Sequence, residues 1–185
     1  MKFVNIITPC SRPENLLKIS KSINIPRENY RWIVVCDSPN IPEKELIPDN
    51  CEIYFHQNPR SCSGNAQRNF ALSLVDKHIE GGYIYYNDDD TLMHPDLWET
   101  VKDLDNDLIS FSQNNPDGTL RLKGDRMVAC HVDSHNFITS CELAKGIEWI
   151  LDNYGADAGF AQDVFAVSKS YVFIPKVLSV YNCLR

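Results

Sequence analysis

The sequence predicts an α/β fold, with a mainly parallel central sheet between two layers of helices and a smaller mixed part toward the C-terminus. Three observations carry this reading. Strand and helix patterns alternate through the first 104 residues, as they do in parallel sheets with crossover helices. The strand candidates, such as Trp32-Ile33-Val34-Val35-Cys36 and Gly82-Tyr83-Ile84-Tyr85-Tyr86, are apolar runs of the kind that both faces of a buried sheet require. Finally, Thr8, Asp37, the residues after His56 and Asp88 to Asp90 fall at strand ends, the edge at which such sheets bind ligands.

Lys2 to Thr8 reads as the first strand, closed by Pro9. Ser11 and Pro13 mark a helix start with Ser11 near the N-cap, and Leu16, Leu17, Ser20 and Ile23 form its apolar side before Pro26. Trp32 to Cys36 and Glu52 to Phe55 are the next strands, separated by a loop punctuated at Pro39, Pro42 and Pro48. Residues 57–64 form a turn-rich loop carrying Arg60. From Asn65 the pattern is helical, with Ala66, Phe70, Leu74 and His78 every four residues, up to Gly81-Gly82. The fourth strand follows and runs into Asp88-Asp89-Asp90, and Pro95 opens a helix bearing Leu97, Trp98, Val101 and Leu104. In the second half, Leu108 to Ser112 is a strand, and Asn115-Pro116-Asp117-Gly118 turns it into Thr119 to Leu122. Met127 to Val132 and Asn136 to Thr139 read as strand pieces. A helix from about Cys141 is marked by Leu143, Ile147, Ile150 and Leu151. Gly155 to Gly159 reads as a connector, Ala161 to Phe165 as a short helix, and Tyr171 to Ile174 and Val177 to Tyr181 as closing strands. Trp98 and Trp149, at helical spacing, read as core. One domain over 1–185 is expected, without repeats or linkers.

Composition narrows the function. With 43% hydrophobic and 23% charged residues the chain has the balance of a globular protein. A formal net charge of −7 argues against a nucleic-acid or anionic-membrane surface, which clustered Lys and Arg would supply. The seven cysteines, at 10, 36, 51, 62, 130, 141 and 183, include no C-x-x-C pair, so buried reduced thiols are expected rather than zinc or a disulfide framework. The N-terminus offers no signal or membrane-spanning run, and a cytoplasmic location is expected.

The acidic triplet is where the chemistry concentrates. Three adjacent carboxylates repel one another unless a cation neutralises them, and hard divalent ions prefer such oxygen ligands, often shared with substrate phosphates. In an extended segment Asp88 and Asp90 would face one way and Asp89 the other.

Taken together, Ile7-Thr8-Pro9 with Arg12-Pro13, Arg31-Trp32-Ile33-Val34-Val35-Cys36-Asp37-Ser38-Pro39, Gly64-Asn65-Ala66-Gln67-Arg68-Asn69-Phe70-Ala71-Leu72, Tyr85-Tyr86-Asn87-Asp88-Asp89-Asp90-Thr91, Val132-Asp133-Ser134 and Ala161-Gln162-Asp163 resemble, in this order, nucleotide-sugar glycosyltransferases of the GT-A fold. The nearest likeness is to the inverting β-1,3-glucuronyltransferases, with family-2-type enzymes as cousins. The resemblance implies a Rossmann-like GT-A domain whose residues 1–104 bind nucleotide and whose residues 105–185 supply the acceptor side and the base. It implies a UDP-sugar donor, Mn²⁺ or Mg²⁺ as cofactor, and a glycan, lipid-linked or small-molecule acceptor. Thr8, Pro9, Arg12, Arg60, Arg68 and Asp88 would line the nucleotide site; Asp37 would meet the uracil, Asp89 the ribose, and Asp90 the metal. Asp163 would be the catalytic base that an inverting transfer requires, with Asp157 and Asp133 as fallbacks.

The chain departs from that pattern at its last strand, Val180-Tyr181-Asn182-Cys183, which lacks the family's diphosphate-contacting His; either His131, taken with Asp90 as a metal ligand, or His135 substitutes, or the metal is held by fewer protein ligands. The Gln-x-x-Arg-Trp motif of processive synthases is missing too, which argues against polymer synthesis. Two other functions compete: a catalytically inactive carbohydrate- or partner-binding domain on the same scaffold, and a nucleotidyltransferase. Against the last, no glycine-rich phosphate loop stands early in the chain.

Overall fold

In the computed structural model of the chain, residues 1, 3–37, 42–75 and 82–185 are described. The first strand, β1 (Phe3–Cys10), leads through a short 3₁₀ turn into α1 (Leu16–Ser22). Next come β2 (Tyr30–Cys36), β3 (Glu52–Phe55), α2 (Asn65–Leu74), β4 (Gly82–Tyr86) and α3 (Leu97–Val101). The second half holds β5 (Leu108–Asn114), β6 (Leu120–Leu122), β7 (Phe137–Ser140), α4 (Cys141–Ala144), α5 (Ala156–Val167) and β8 (Tyr171–Val180).

All eight strands join one sheet in the order β3-β2-β1-β4-β7-β5-β6, with β8 also paired to β5. β3, β2, β1 and β4 run parallel; β7 is antiparallel to both of its neighbours, and β8 runs parallel to β5. Successive residues of the central strands enter opposite cores, as the two-residue period of a strand demands. Ile6, Trp32, Val34, Tyr83 and Tyr85 pack with Leu16, Ile19, Leu97, Trp98 and Val101 on one face. Ile7, Ile33, Val35, Ile84 and Tyr86 pack with Ala71, Ala144, Phe160, Ala161 and Val164 on the other. That two-sided burial makes the three-layer architecture and explains the unbroken apolar runs.

Several local expectations change. Ser11 does not cap a helix: the first turn, Pro13–Asn15, is 3₁₀, and Ser11 bonds to Asp89 instead. α2 is described to Leu74, with Val75 already extended, and the expected continuation through His78 to Gly81 lies outside the described residues, as do Ser38 and Pro39. Met127 to Val132 forms bends and turns rather than strand, because His131 N closes onto Val128 O and Gly124 N onto His131 O. The helix expected from Cys141 is a single turn, α4, and Trp149 is instead held by side-chain and backbone bonds to Asn69. α5 begins at Ala156, absorbing Gly159, because Ala158, Phe160, Ala161 and Val164 bury against the sheet. The two closing strands are one, β8, with register shifts beside Phe111 and Ser112. All seven cysteines are free, and Cys130 is exposed rather than buried. Trp98 and Trp149 are core residues, 8% and 1% exposed. Among the described residues, no helix is long and apolar enough to cross a membrane.

Candidate functional site

The parallel strands end level with one another: Cys10 of β1 stands opposite Cys36 of β2, and Ile7 opposite Tyr86 of β4. Just beyond these ends opens a cavity of about 330 Å³, within the range of about 300–1,000 Å³ usual for small-molecule sites. Its wall includes Pro9 and Arg12 after β1, Asp37 after β2, Gly64 and Arg68 of the α2 entry, and Asp88, Asp89 and Asp90 after β4. From the second half come Arg121, Asp133, Tyr154, Asp157, Tyr181, Asn182 and Arg185. Four arginines therefore face six aspartates, a formal imbalance of two negative charges.

The triplet is not extended. Thr91 N closes onto Asp88 O at 3.1 Å in a tight turn, and each carboxylate has its own partners. Asp89 is buried beneath the loop after β1. Its Oδ2 accepts from Ser11 N at 2.6 Å, Arg12 N at 2.7 Å and Ser11 Oγ at 3.0 Å, and its Oδ1 from Arg12 Nη1. Burial pushes its carboxyl up, while the donors of Ser11 and Arg12 oppose that shift. Asp90 Oδ2 accepts from Arg185 Nε at 2.7 Å and Arg12 Nη1 at 3.2 Å, so Asp89 and Asp90 share one guanidinium. Asp88 turns the other way, taking Arg68 Nη2 at 2.6 Å and Ser134 Oγ at 2.9 Å. The expected pairing of Asp88 with Asp90 on one face is thereby corrected: a turn replaces the strand geometry on which it depended.

Arg68 is fully buried, an unusual place for a cation. It lies 4.6 Å from the centre of the Trp149 ring and donates Nη1 to Ser63 O at 2.6 Å, which with Asp88 offsets its loss of water. Gly64, at φ +77°, lets α2 begin against β1: a Cβ there would stand 2.5 Å from Pro9 Cβ. Thr8 is fully buried and outside the cavity wall, bonded to Asn87 O at 2.7 Å and by Trp32 Nε1 at 2.9 Å; it braces strand ends.

Arg60 is exposed and does not reach the cavity. His131 also lies outside it, 3.0 Å from Asp125, because the segment expected as a strand folds into turns that point it away. Asp163 is exposed on α5, whereas Asp157, in the first turn of the same helix, lines the cavity. Six residues correspond to about 600° of helix and roughly 9 Å of rise, so the two carboxylates cannot share a face. Burial pushes the Asp157 carboxyl up to about 7, opposed by Arg68 and assisted by Asp133 and Asp88.

His135 rather than His131 meets the acids. Its Nε2 lies 3.8 Å from both Asp88 Oδ2 and Asp133 Oδ1, and one ligand atom from each of the three residues falls within 4.8 Å of the others. Carboxylate oxygens and an imidazole are donors that Mn²⁺ or Mg²⁺ accepts. Gln113 complicates this site. Its oxygen accepts from Arg121, so its amide nitrogen faces His135 Nδ1 at 2.6 Å, a contact that favours the tautomer with Nδ1 accepting and the proton on Nε2. Coordination there needs the proton moved to Nδ1, with Ser179 Oγ at 3.0 Å to accept it. Asp90 is the alternative ligand: its Arg185 partner is 57% exposed in its side chain and can leave, whereas Arg68 beside Asp88 cannot.

Arg121, Asn182, Arg185 and Tyr154 gave no signal in the sequence. Each reaches the site from a distant segment, so no local spacing announces it. Arg121 pairs with Asp133 at 2.6 Å and lies 3.6 Å over the Tyr181 ring.

No protein-family model matches the chain, and no curated protein matches its sequence. Its fold does match solved structures. TarS from S. aureus, residues 1–349 in complex with UDP-GlcNAc, superposes with a TM-score of 0.73 at 14% identity, covering 96% of this chain and 58% of that one. Mannosyltransferase PcManGT from Pyrobaculum calidifontis, in complex with GDP-Man and Mn²⁺, gives 0.65 at 15% identity, covering 97% and 56%. The 4-diphosphocytidyl-2C-methyl-D-erythritol synthase from Anaerococcus prevotii gives 0.56 at 12%, covering 94% and 86%. The chain thus spans between 36% and 60% of the length of the glycosyltransferase structures it matches, and the likeness establishes the GT-A fold.

Proposed function

We propose that this GT-A chain transfers a sugar from a UDP-sugar to an acceptor hydroxyl with inversion, assisted by Mn²⁺ or Mg²⁺. The observation that carries the reading is the order of charges along the cavity. Across the sheet, Asp37 stands at β2, Arg12 at β1, the acid turn at β4, and Asp133 with Arg121 toward β7 and β6. A nucleotide-sugar laid along that edge would place its base near Asp37, its diphosphate near Arg12 and Asp90, and its sugar near Asp157.

In this reading Asp37 accepts from the uracil N–H. Asp89, its oxygens already engaged, holds the Ser11–Arg12 loop against the ribose. Arg12 presents its guanidinium to the diphosphate, and buried Arg68 fixes Asp88 and the floor of the site. Asp90 would hold the divalent cation, which supplies positive charge to the departing diphosphate. Asp157 takes over the base role first expected of Asp163: it removes the proton of the acceptor hydroxyl as that oxygen bonds to the anomeric carbon. The bond to the diphosphate oxygen breaks on the opposite face, and its electron pair leaves with UDP. A carboxyl titrating near 7 is suited to that task.

Titration calorimetry of UDP with and without Mn²⁺, on wild type and Asp90→Ala, tests the reading. Metal-dependent UDP binding that the variant loses supports it; preference for CTP over UDP would favour a nucleotidyltransferase. UDP binding with no turnover of any UDP-sugar would leave a binding domain.

A further inference from the structure

Beyond β8 the chain returns to the acid turn and is laid along it by specific bonds. Leu184 N donates to Asp90 O at 2.9 Å, and Leu92 N donates to Cys183 Sγ at 3.2 Å. The Asn182 amide, turned to donate, stands 3.2 and 3.3 Å from the two Asp90 carboxylate oxygens. Asn182 itself adopts φ 44°, a left-handed conformation uncommon for a residue with a side chain, and this bend carries the following residues back toward the acids. The last bond is the ionic one, Arg185 Nε to Asp90 Oδ2 at 2.7 Å.

This arrangement uses up Asp90. Its Oδ2 holds Arg185 and Arg12, and its Oδ1 faces Thr91 Oγ1 at 3.4 Å and Asn182. A divalent cation cannot join Oδ2 without dismissing a guanidinium. Arg12 is fixed by its second carboxylate, Asp89, and by its own backbone bond to it. Arg185 has no second carboxylate: among the described residues its ion pair is with Asp90, its guanidinium also donates Nη1 to the turned Asn182 amide oxygen at 3.1 Å, and its side chain is 57% exposed against 4% for Asp90. Of the two, Arg185 is the one that can go.

We propose that Arg185 is a tethered counter-cation of this site. While the cleft is empty its guanidinium neutralises Asp90. When the metal and nucleotide enter, Arg185 yields Asp90 to the metal and turns to a phosphate oxygen, an acceptor that a guanidinium fits at least as well as a carboxylate. The second half rests on the nucleotide-sugar reading above; the first half, competition for Asp90, does not.

The test is Mn²⁺ binding to the full chain without nucleotide, followed by Mn²⁺ electron paramagnetic resonance or calorimetry, on wild type, Arg185→Gln, Arg185→Met and Arg185→Lys. Removing a competing charge from a partly exposed pair is expected to tighten Mn²⁺ about tenfold in both neutral variants. Arg185→Lys, which keeps the charge, stays within about threefold of wild type. At saturating Mn²⁺, UDP binding weakens about tenfold in the neutral variants, because the phosphate loses its arginine. Unchanged or weaker Mn²⁺ binding in Arg185→Gln and Arg185→Met, including no Mn²⁺ binding in any form, overturns the competition. So does a Lys variant that behaves like the neutral ones, since that result assigns the segment 181–185 a packing role. Should wild type bind no UDP under any condition, the nucleotide-sugar reading falls, while the Mn²⁺ comparison still decides whether Arg185 occupies the cation's place.

Discussion

Asp157→Asn separates the proposed chemistry from the scaffold, because its two consequences have different origins. In the folded chain burial lifts this carboxyl from 3.8 to about 7. At about 1.36 kcal/mol per unit, that shift caps the effect near 4 kcal/mol. Asp157 keeps partial access to the open cavity and Arg68 lies close enough to respond, so about 1–2 kcal/mol is the realistic size. A carboxyl raised on folding binds its proton more tightly in the native state. Its contribution is therefore present below the unfolded value near 4 and is lost as pH rises through 7. Asn does not titrate. Urea denaturation at pH 5 and pH 8 should show Asp157→Asn gaining about 1–2 kcal/mol relative to wild type between those two values. In the same variant, transfer should fall by about 10²–10⁴ while UDP affinity changes less than about twofold. For wild type, the rate should rise with pH through about 7 as the base ionises. A stability difference identical at both pH values, or full activity in the Asn variant, would refute the assignment.

Asp163→Asn should leave transfer within about twofold of wild type, since its carboxylate is exposed away from the cavity; progress curves under matched conditions check this. Gly64→Ala puts a Cβ 2.5 Å from Pro9 Cβ at a positive φ, and should cost about 2 kcal/mol or more in urea melts while weakening UDP. Arg68→Ala leaves Asp88 without its cation and Trp149 without its cover, so a loss of about 3–5 kcal/mol is expected, near the limit of folding. Mn²⁺ titrations of Asp90→Ala and His135→Gln distinguish the two candidate cation sites: loss of binding in the first alone supports Asp90, and loss in the second alone supports the Asp88–Asp133–His135 group.

The first half of the fold was legible because its strands are buried on both faces and need uninterrupted apolar runs, as Trp32 to Cys36 shows. Those strands also end level, so residues as separate as Asp37 and Asp88 could be brought to one edge on sequence grounds. The second half resisted because its order comes from contacts rather than local pattern. Gly155 and Gly159 read as breakers, yet α5 runs through Gly159 because its neighbours fill the core; Asp163 was expected as the base from the resemblance carried by Ala161-Gln162-Asp163, and it stands exposed, outside the cavity wall. Met127 and Val132 are buried without belonging to a strand, so hydrophobicity alone misplaced them. Arg121 and Arg185 are single basic residues in unremarkable surroundings, and only the chain's return path gives them carboxylate partners.

α5 is seated by Phe160, which stacks on Trp149 at 4.6 Å and meets the edge of Tyr86 at 5.6 Å. The same helix holds Asp157 at its cavity end, while Ile150 and Tyr154, just ahead of it, are 51% and 80% exposed. The carboxylate proposed as base thus belongs to the rigid frame, whereas Tyr154, on the cavity wall beside it, is a largely exposed side chain. Under the proposed mechanism, replacing Tyr154 would retune which alcohol is admitted without moving Asp157, so acceptor choice and proton removal are set by separate parts of the fold.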